Sequence, residues 1–149
     1  KLIPRFITNI LTGQKVPLMG KGENIRDWLF VEDHCRAIEL VLKQGAVGET
    51  YCIGGEEKSN LEVTMAVLEA LGKDKAWIEP VEHRLGHDFR YAINPARIEK
   101  LGWKPLHSFD EWIEKTVEWY KKNRWWWHPL LKEIRQVVDR VAQRRYGNG

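Results

Sequence analysis

The sequence has few cysteines, no long apolar run and no strong excess of one charge. Cys35 and Cys52 match no paired-ligand or disulfide pattern, so we expect free thiols in a reducing compartment, the cytoplasm. No apolar stretch approaches the roughly 18 residues that a membrane span requires, and no signal peptide is recognisable. A net charge of +3 over 149 residues does not indicate nucleic acid. With 43% hydrophobic residues, the chain is expected to be globular, with neither a membrane nor a nucleic-acid partner.

Motifs that would identify a catalytic centre are absent as well. Gly20 and Gly22 are not the fingerprint of a dinucleotide fold, because a predicted strand follows them instead of a helix. The sequence has no G-x-x-x-x-G-K-[ST] loop, no G-x-S-x-G and no tyrosine followed four residues later by lysine. His83 and His87 have a helix-like spacing, but Gly86 between them indicates a loop instead of a metal site. We therefore predict no catalytic, cofactor-binding or metal-binding residues in this chain.

Helical and extended patterns alternate, which predicts an α/β fold with a small sheet. Short strands are predicted over "KVPLMG", "IRDWLFV", "ETYCIGG" and "AWIEPV". Helices are predicted from Pro4 to Leu11, over "VEDHCRAIELVLKQG", "SNLEVTMAVLEALG", "NPARIEKLG" and "SFDEWIEKTVEWYKKN", and from Leu130 to Tyr146. The second of these should bury Ala37, Ile38, Val41 and Leu42.

Helix starts carry the clearest local signals. Ser59 with Glu62, and Ser108 with Glu111, have the spacing of capping boxes. Asn60 is a competing cap for the first of these helices. The acids Glu32 and Asp33 are interpreted as first-turn residues that suit the positive end of a helix.

Two arginines stand in turn-rich surroundings. Arg26 follows the glycine turn at the start of a strand, and Arg84 lies in the polar stretch "VEHRLGHDFRYAIN". A planar guanidinium suits a diphosphate, which it can hold through paired hydrogen bonds. Spacing alone leaves two interpretations open, a clamp made by both arginines and two separate surface ion pairs.

Three segments, "IRDWLFVEDHCRAIELVL", "GETYCIGG" and "GHDFRYAINPARIEKLGWKP", resemble the C-terminal part of the dTDP-glucose 4,6-dehydratase family, within the extended short-chain dehydrogenase/reductases. The resemblance runs from Lys1 to about Trp119. It implies a small substrate-binding domain with helices around a few short strands. The NAD-binding Rossmann half, with the catalytic Tyr and Lys, would be absent from this chain, and the start at Lys1 is taken to indicate a fragment.

The family resemblance also implies which residues contact the sugar nucleotide. Lys1 and Leu2 would lie at the edge of the diphosphate site, and the strand that contains Pro17, Leu18 and Met19 would face the thymine base. Arg26, Arg84 and His87 would lie at the phosphates, and Asn60 would lie near the nucleotide. Met19 and Phe89 depart from the family pattern, which leaves thymidine and uridine open as the preferred base. Asn60 has helix capping as its alternative role.

The resemblance implies residues 1–124 as the substrate domain and 125–149 as a tryptophan-rich, basic helical tail. The chain alone should be inactive, with NAD bound only by the longer parent, a homodimer. Weak binding of a dTDP-sugar is expected at most. Two alternatives stay open: the same portion of a UDP-sugar epimerase or decarboxylase, and a non-catalytic module that docks a partner through Trp125 to Trp127.

Overall fold

The computed structural model describes residues 1–82 and 86–131 and has helices around short strands. The helices are α1 (Leu2–Leu11), α2 (Val31–Gln44), α3 (Asn60–Ala70), α4 (Ala96–Glu99) and α5 (Phe109–Lys122). The strands are β1 (Val16–Met19), β2 (Ile25–Trp28), β3 (Glu56–Ser59) and β4 (Ile78–Val81), and a 3-10 turn, Lys75–Trp77, precedes β4. Residues 124–131 are also helical. The α/β class is confirmed.

The strands form two separate pairs. β1 lies parallel to β4, with Val16 opposite Ile78 and Met19 opposite Val81. β2 lies antiparallel to β3, with Ile25 opposite Ser59. Within the described ranges the strands are few and short, as predicted, but they form two sheets of two strands each instead of one sheet.

Two buried clusters hold these elements together. α1 packs on β1 and α3 through apolar side chains that are almost fully buried: Ile3, Phe6, Ile7, Ile10, Val16, Leu18, Val63, Val67 and Leu68. A second cluster joins α2 and α4 through Ala37, Ile98 and Trp103, with Tyr51 and Ile53 packed against it. Burial of this apolar surface is the main stabilising contribution to the domain.

Both capping boxes are present. The Ser59 hydroxyl accepts a hydrogen bond from the Glu62 backbone N–H at 3.2 Å, and the Ser59 N–H donates to the Glu62 carboxylate at 2.7 Å. Ser108 and Glu111 make the same exchange at the start of α5. Both carboxylates have a pKa below the usual range, because hydrogen bonds from serine stabilise the charged form. The main donor to Glu62 is the Ser59 hydroxyl, and the main donor to Glu111 is the Ser108 backbone N–H.

Two sequence predictions are wrong. "ETYCIGG" is not a strand. The strand begins at Glu56, the residue after this stretch, where β2 is its hydrogen-bonded partner. The apolar stripe of α2 is also only partly buried: Ala37 is buried, but Ile38 is 45% and Leu42 82% exposed.

The chain divides into two compact units, Lys1–Val117 and Glu118–Gly149, of which the second is described up to Leu131. In the second unit, Trp127 is buried and its indole N–H donates to the Tyr120 carbonyl at 2.7 Å, whereas Trp125 and Trp126 are exposed. The predicted helix from Leu130 to Tyr146 lies almost wholly outside the described residues. Among the described residues, every helix is too short or too polar to cross a bilayer.

Gly55 lies against the backbone of β2, and we expect Gly55→Ala to destabilise the chain. A Cβ there would lie 2.0 Å from the Trp28 carbonyl oxygen and 2.9 Å from the Leu29 Cα, so backbone must move. We expect a loss of about 1–3 kcal/mol in the free energy of unfolding, measured by chemical denaturation. Gly54→Ala is the matched control, because its nearest neighbour is the movable Asp27 carboxylate at 3.2 Å. Equal losses in the two variants would contradict the prediction.

Candidate functional site

The candidate site forms where the segment 87–91 runs along the free edge of β2. The Ile25 N–H donates to the Phe89 carbonyl at 2.8 Å, and the Tyr91 N–H donates to the Ile25 carbonyl at 3.1 Å. The buried Asn24 adds a hydrogen bond from its side-chain amide to the Asp88 carbonyl at 3.1 Å. This pairing brings residues about sixty positions apart in the sequence into one cluster.

Arg26 is at the centre of this cluster. Its Nη1 donates to the carbonyls of Ile25 at 2.6 Å and Phe89 at 3.2 Å. Its Nη2 donates to the Asp88 carbonyl at 2.8 Å and lies 3.0 Å from Nε2 of His87. The structure thus brings Arg26 and His87, two of the predicted site residues, into direct contact.

The geometry of this contact determines which ring nitrogen of a neutral His87 is the acceptor. A guanidinium has no acceptor, so Nε2 of His87 must accept the hydrogen bond from Arg26, and the proton of a neutral ring is then on Nδ1. In this arrangement Nε2 carries no proton to give to a phosphate or a leaving group. His87 therefore orients Arg26 in this structure instead of acting as a second donor through Nε2.

A second part of the candidate site lies at the glycine turn. The Leu61 N–H donates to the Gly22 carbonyl and the Asn60 N–H to the Asn24 carbonyl, both at 2.9 Å. A Cβ on Gly22 would lie 3.0 Å from both Leu18 and Leu61, and its φ is +74°, a backbone conformation that favours glycine. The turn after β1 therefore rests directly on the start of α3, which brings Leu18 and Asn60 to the same region.

The remaining predicted residues have varied positions. Pro17 and Met19 are half-buried on β1, whereas Leu18 points into the core. Lys1 and Leu2 lie at the start of α1. Arg84 lies outside the described residues, so the second arm of the predicted arginine clamp stays a prediction. Asn60 is the first residue of α3, and the helix is capped by Ser59.

Asp27 and Trp28 have a structural role beside Arg26. The Asp27 carboxylate accepts a hydrogen bond from the Gly55 N–H at 2.6 Å, and the Trp28 indole donates to the Lys58 carbonyl at 3.1 Å. Both bonds fasten β2 to the chain around β3. Trp103 is buried, whereas Trp28 and Trp77 are half-buried.

Asp33 is a first-turn acid of α2, as predicted, but sequence reasoning missed that it is fully buried. Its carboxylate accepts hydrogen bonds from the backbone N–H groups of Leu106 at 3.1 Å and His107 at 3.2 Å. Nδ1 of His107 lies 3.1 Å away and Nη1 of Arg36 2.8 Å away. Burial acts to raise the pKa of Asp33, but the hydrogen bonds from Leu106, His107 and Arg36 outweigh it and hold the pKa below its ordinary value. No feature of the sequence distinguishes this aspartate from Glu32 beside it.

The described residues contain no group of three or more His, Cys, Asp or Glu side chains placed to hold a metal ion. An open cavity of about 420 Å³ lies beside the glycine turn, between β2, β3 and the start of α3. Its charged side chains have both signs: Lys21, Glu23, Glu57, Lys58 and Glu62. This mixed lining does not favour an anion, so the candidate phosphate contact remains at Arg26.

Residues 1–116 match the family model described as GDP-mannose 4,6 dehydratase. The chain belongs to this family. A dTDP-glucose 4,6-dehydratase of Streptomyces antibioticus is 46% identical over 134 residues, which are 89% of this chain and 40% of that protein. The resemblance inferred from the sequence motifs is confirmed.

Solved structures give the same result. The dTDP-glucose 4,6-dehydratase DesIV of Streptomyces venezuelae, with NAD and TYD bound, is 48% identical with a TM-score of 0.83, over 87% of this chain and 41% of that one. A UDP-glucose 4-epimerase of Thermotoga maritima, with UDP-glucose, is 30% identical with a TM-score of 0.74, over 83% of this chain and 40% of that one. The chain thus spans about two fifths of the length of these relatives.

Proposed function

We propose that this chain is the sugar-nucleotide-binding part of a dTDP-glucose 4,6-dehydratase. The whole enzyme would convert dTDP-glucose to dTDP-4-keto-6-deoxyglucose, with NAD and the catalytic Tyr and Lys supplied by the rest of the protein. The observation that carries the proposal is the Arg26 cluster, in which a guanidinium is held at a strand edge by three backbone carbonyls and His87.

The state of Arg26 supports a role as a diphosphate ligand. Three carbonyls and an imidazole are neutral acceptors, so the positive charge of the guanidinium is not neutralised by these contacts. Phosphate oxygens are charged acceptors that form stronger hydrogen bonds with guanidinium than neutral groups do. A diphosphate can therefore replace the Asp88 carbonyl and His87 at Nη2 while Nη1 stays bound to β2 and Phe89.

The burial of the other site residues suggests which part of each would contact the nucleotide. Leu18 and Asn60 are almost fully buried, so their backbone would be the part that faces the ligand. Pro17 and Met19 are half-buried beside Leu18 and would contact the base. Lys1, Leu2 and Arg84 are included on the family resemblance, as further contacts of the diphosphate.

A dehydratase parent is favoured over an epimerase, because the dehydratases compared are 46–48% identical to this chain and the epimerase is 30% identical. Homodimer formation by the whole protein is part of the same proposal. The third possibility, a docking module without catalytic function, would use the exposed Trp125 and Trp126. The experiment below separates the three.

We expect the chain alone to bind dTDP more tightly than UDP, weakly in both cases, and to leave dTDP-glucose unchanged. The protein extended by the sequence that precedes Lys1 should release the 4-keto-6-deoxy product when NAD is present. Isothermal titration measures the binding, and mass spectrometry of the nucleotide sugar measures the loss of one water. Turnover by the chain alone, or an extended protein that epimerises UDP-glucose instead, would contradict the proposal. Self-association without nucleotide binding would favour the docking module.

A further inference from the structure

A tyrosine ring supports the candidate phosphate-binding arginine. The Arg26 guanidinium carbon lies over the ring of Tyr91, 4.2 Å from its centroid. Tyr91 itself is held at both ends: its N–H donates to the Ile25 carbonyl at 3.1 Å, and its hydroxyl donates to the Asp88 carboxylate at 2.5 Å. Tyr91 is 51% exposed, so it is not part of the buried core.

We propose that Tyr91 is a positioning residue that holds the plane of the Arg26 guanidinium for a nucleoside diphosphate. The inference rests on the proposed function, because it assigns a role at the same site. Tyr91 acts through Arg26, and no contact between Tyr91 and the nucleotide is required.

The hydrogen bonds of Arg26 show why a stacked ring matters. A diphosphate that displaces the Asp88 carbonyl and His87 removes both described partners of Nη2. Among the described residues, the contacts that the protein still makes with the guanidinium are then those of Nη1 and the ring of Tyr91. Arginine has many rotamers, and ordering such a side chain lowers the affinity of a complex. A ring that already orders the guanidinium reduces this entropic cost, and the same contact attracts the cation electrostatically.

The stack can be tested without nucleotide. An aromatic ring shifts the NMR resonances of groups that lie over its face, so the Arg26 Nε–Hε signal should be displaced in the wild-type chain. Tyr91→Phe keeps the ring and should keep this displacement, whereas Tyr91→Leu should remove it. An Arg26 signal that is the same in all three proteins would overturn the inference, because the ring would then not hold the guanidinium.

The functional test is the affinity for dTDP, measured by titration. We expect Tyr91→Leu to weaken binding about three- to tenfold, the range of a partly exposed cation–π contact. Tyr91→Phe should stay within about twofold of wild type. Ile93→Ala, which trims another exposed apolar side chain two residues after Tyr91, should not change affinity.

Three results would overturn the inference: wild-type affinity in Tyr91→Leu, equal losses in Tyr91→Leu and Tyr91→Phe, and equal losses in Tyr91→Leu and Ile93→Ala. Equal losses in the two tyrosine variants would assign the effect to the hydroxyl and Asp88. A wild-type chain that binds no dTDP, even when extended by the sequence before Lys1, contradicts the proposed function itself. Thermal unfolding of each variant checks that the fold is kept.

Discussion

Asp33→Ala is expected to reduce the free energy of unfolding by about 3 kcal/mol, a large fraction of the stability of a small domain. The carboxylate is fully buried and accepts hydrogen bonds from the backbone N–H groups of Leu106 and His107. Removing it leaves these donors without their partner, and an unsatisfied buried donor costs about 1–3 kcal/mol. Chemical denaturation of the two proteins at neutral pH measures the difference.

The same carboxylate predicts how stability depends on pH. Because the folded chain holds the pKa of Asp33 below its ordinary value of 3.8, Asp33 binds fewer protons in the folded chain than in the unfolded chain at acidic pH. The contribution of Asp33 to stability is therefore complete above its unfolded pKa and is lost as the pH falls through its folded pKa. The stability difference between wild type and Asp33→Asn should shrink on acidification below about pH 4. A stability difference between wild type and Asp33→Asn that grows on acidification would contradict this prediction.

Glu32→Ala is the matched control for Asp33. Both acids lie in the first turn of α2, so both have the same favourable interaction with the helix dipole. Glu32 is exposed, and we expect its removal to cost less than about 1 kcal/mol. If the two alanine variants lose equal stability, the helix dipole explains Asp33 and the buried hydrogen bonds contribute nothing measurable.

The comparison of Asp33 with Ser59 shows which features can be predicted from this sequence. The capping boxes at Ser59 and Ser108 are confirmed because both partners lie within one helical turn, so spacing alone defines the contact. The backbone N–H groups of Leu106 and His107 that bind Asp33 lie more than seventy residues away, and only the tertiary fold brings them together. An acid in the first turn has the same local sequence signal whether it faces solvent or the core.

Strand pairing likewise could not be predicted from the local sequence. "ETYCIGG" has the residue types of a strand, but β2 pairs instead with Glu56–Ser59, whose four polar residues carry no strand pattern. In α2, the apolar spacing correctly predicts a helix, yet it does not reveal which apolar residues a neighbour covers. The contact of Arg26 with His87 spans 61 positions. It could be anticipated only from the family resemblance, which places both residues beside the phosphates.

Replacing Arg26 should weaken dTDP binding about ten- to hundredfold in Arg26→Ala, since a hydrogen bond to a charged group contributes about 1.5–3 kcal/mol. Arg26→Lys should recover only part of the affinity, because an ammonium keeps the charge but lacks the planar fork that can bind two oxygens at once. It also cannot donate to three carbonyls in the geometry that Arg26 uses. Titration with dTDP at low and high salt measures both effects.

Arg90 provides the control for charge, since it lies on the same segment and its side chain is 54% exposed. Its guanidinium binds the Glu57 carboxylate through two hydrogen bonds of 2.7 Å, so its own charge is already neutralised. Arg90→Ala lowers the net charge by the same amount as Arg26→Ala, and it should leave dTDP affinity nearly unchanged. Equal losses in the two variants would mean that the nucleotide responds to general positive charge. If Arg26→Ala loses dTDP affinity, Arg26→Lys loses part of it and Arg90→Ala keeps it, binding requires the specific geometry of a guanidinium held at the edge of β2.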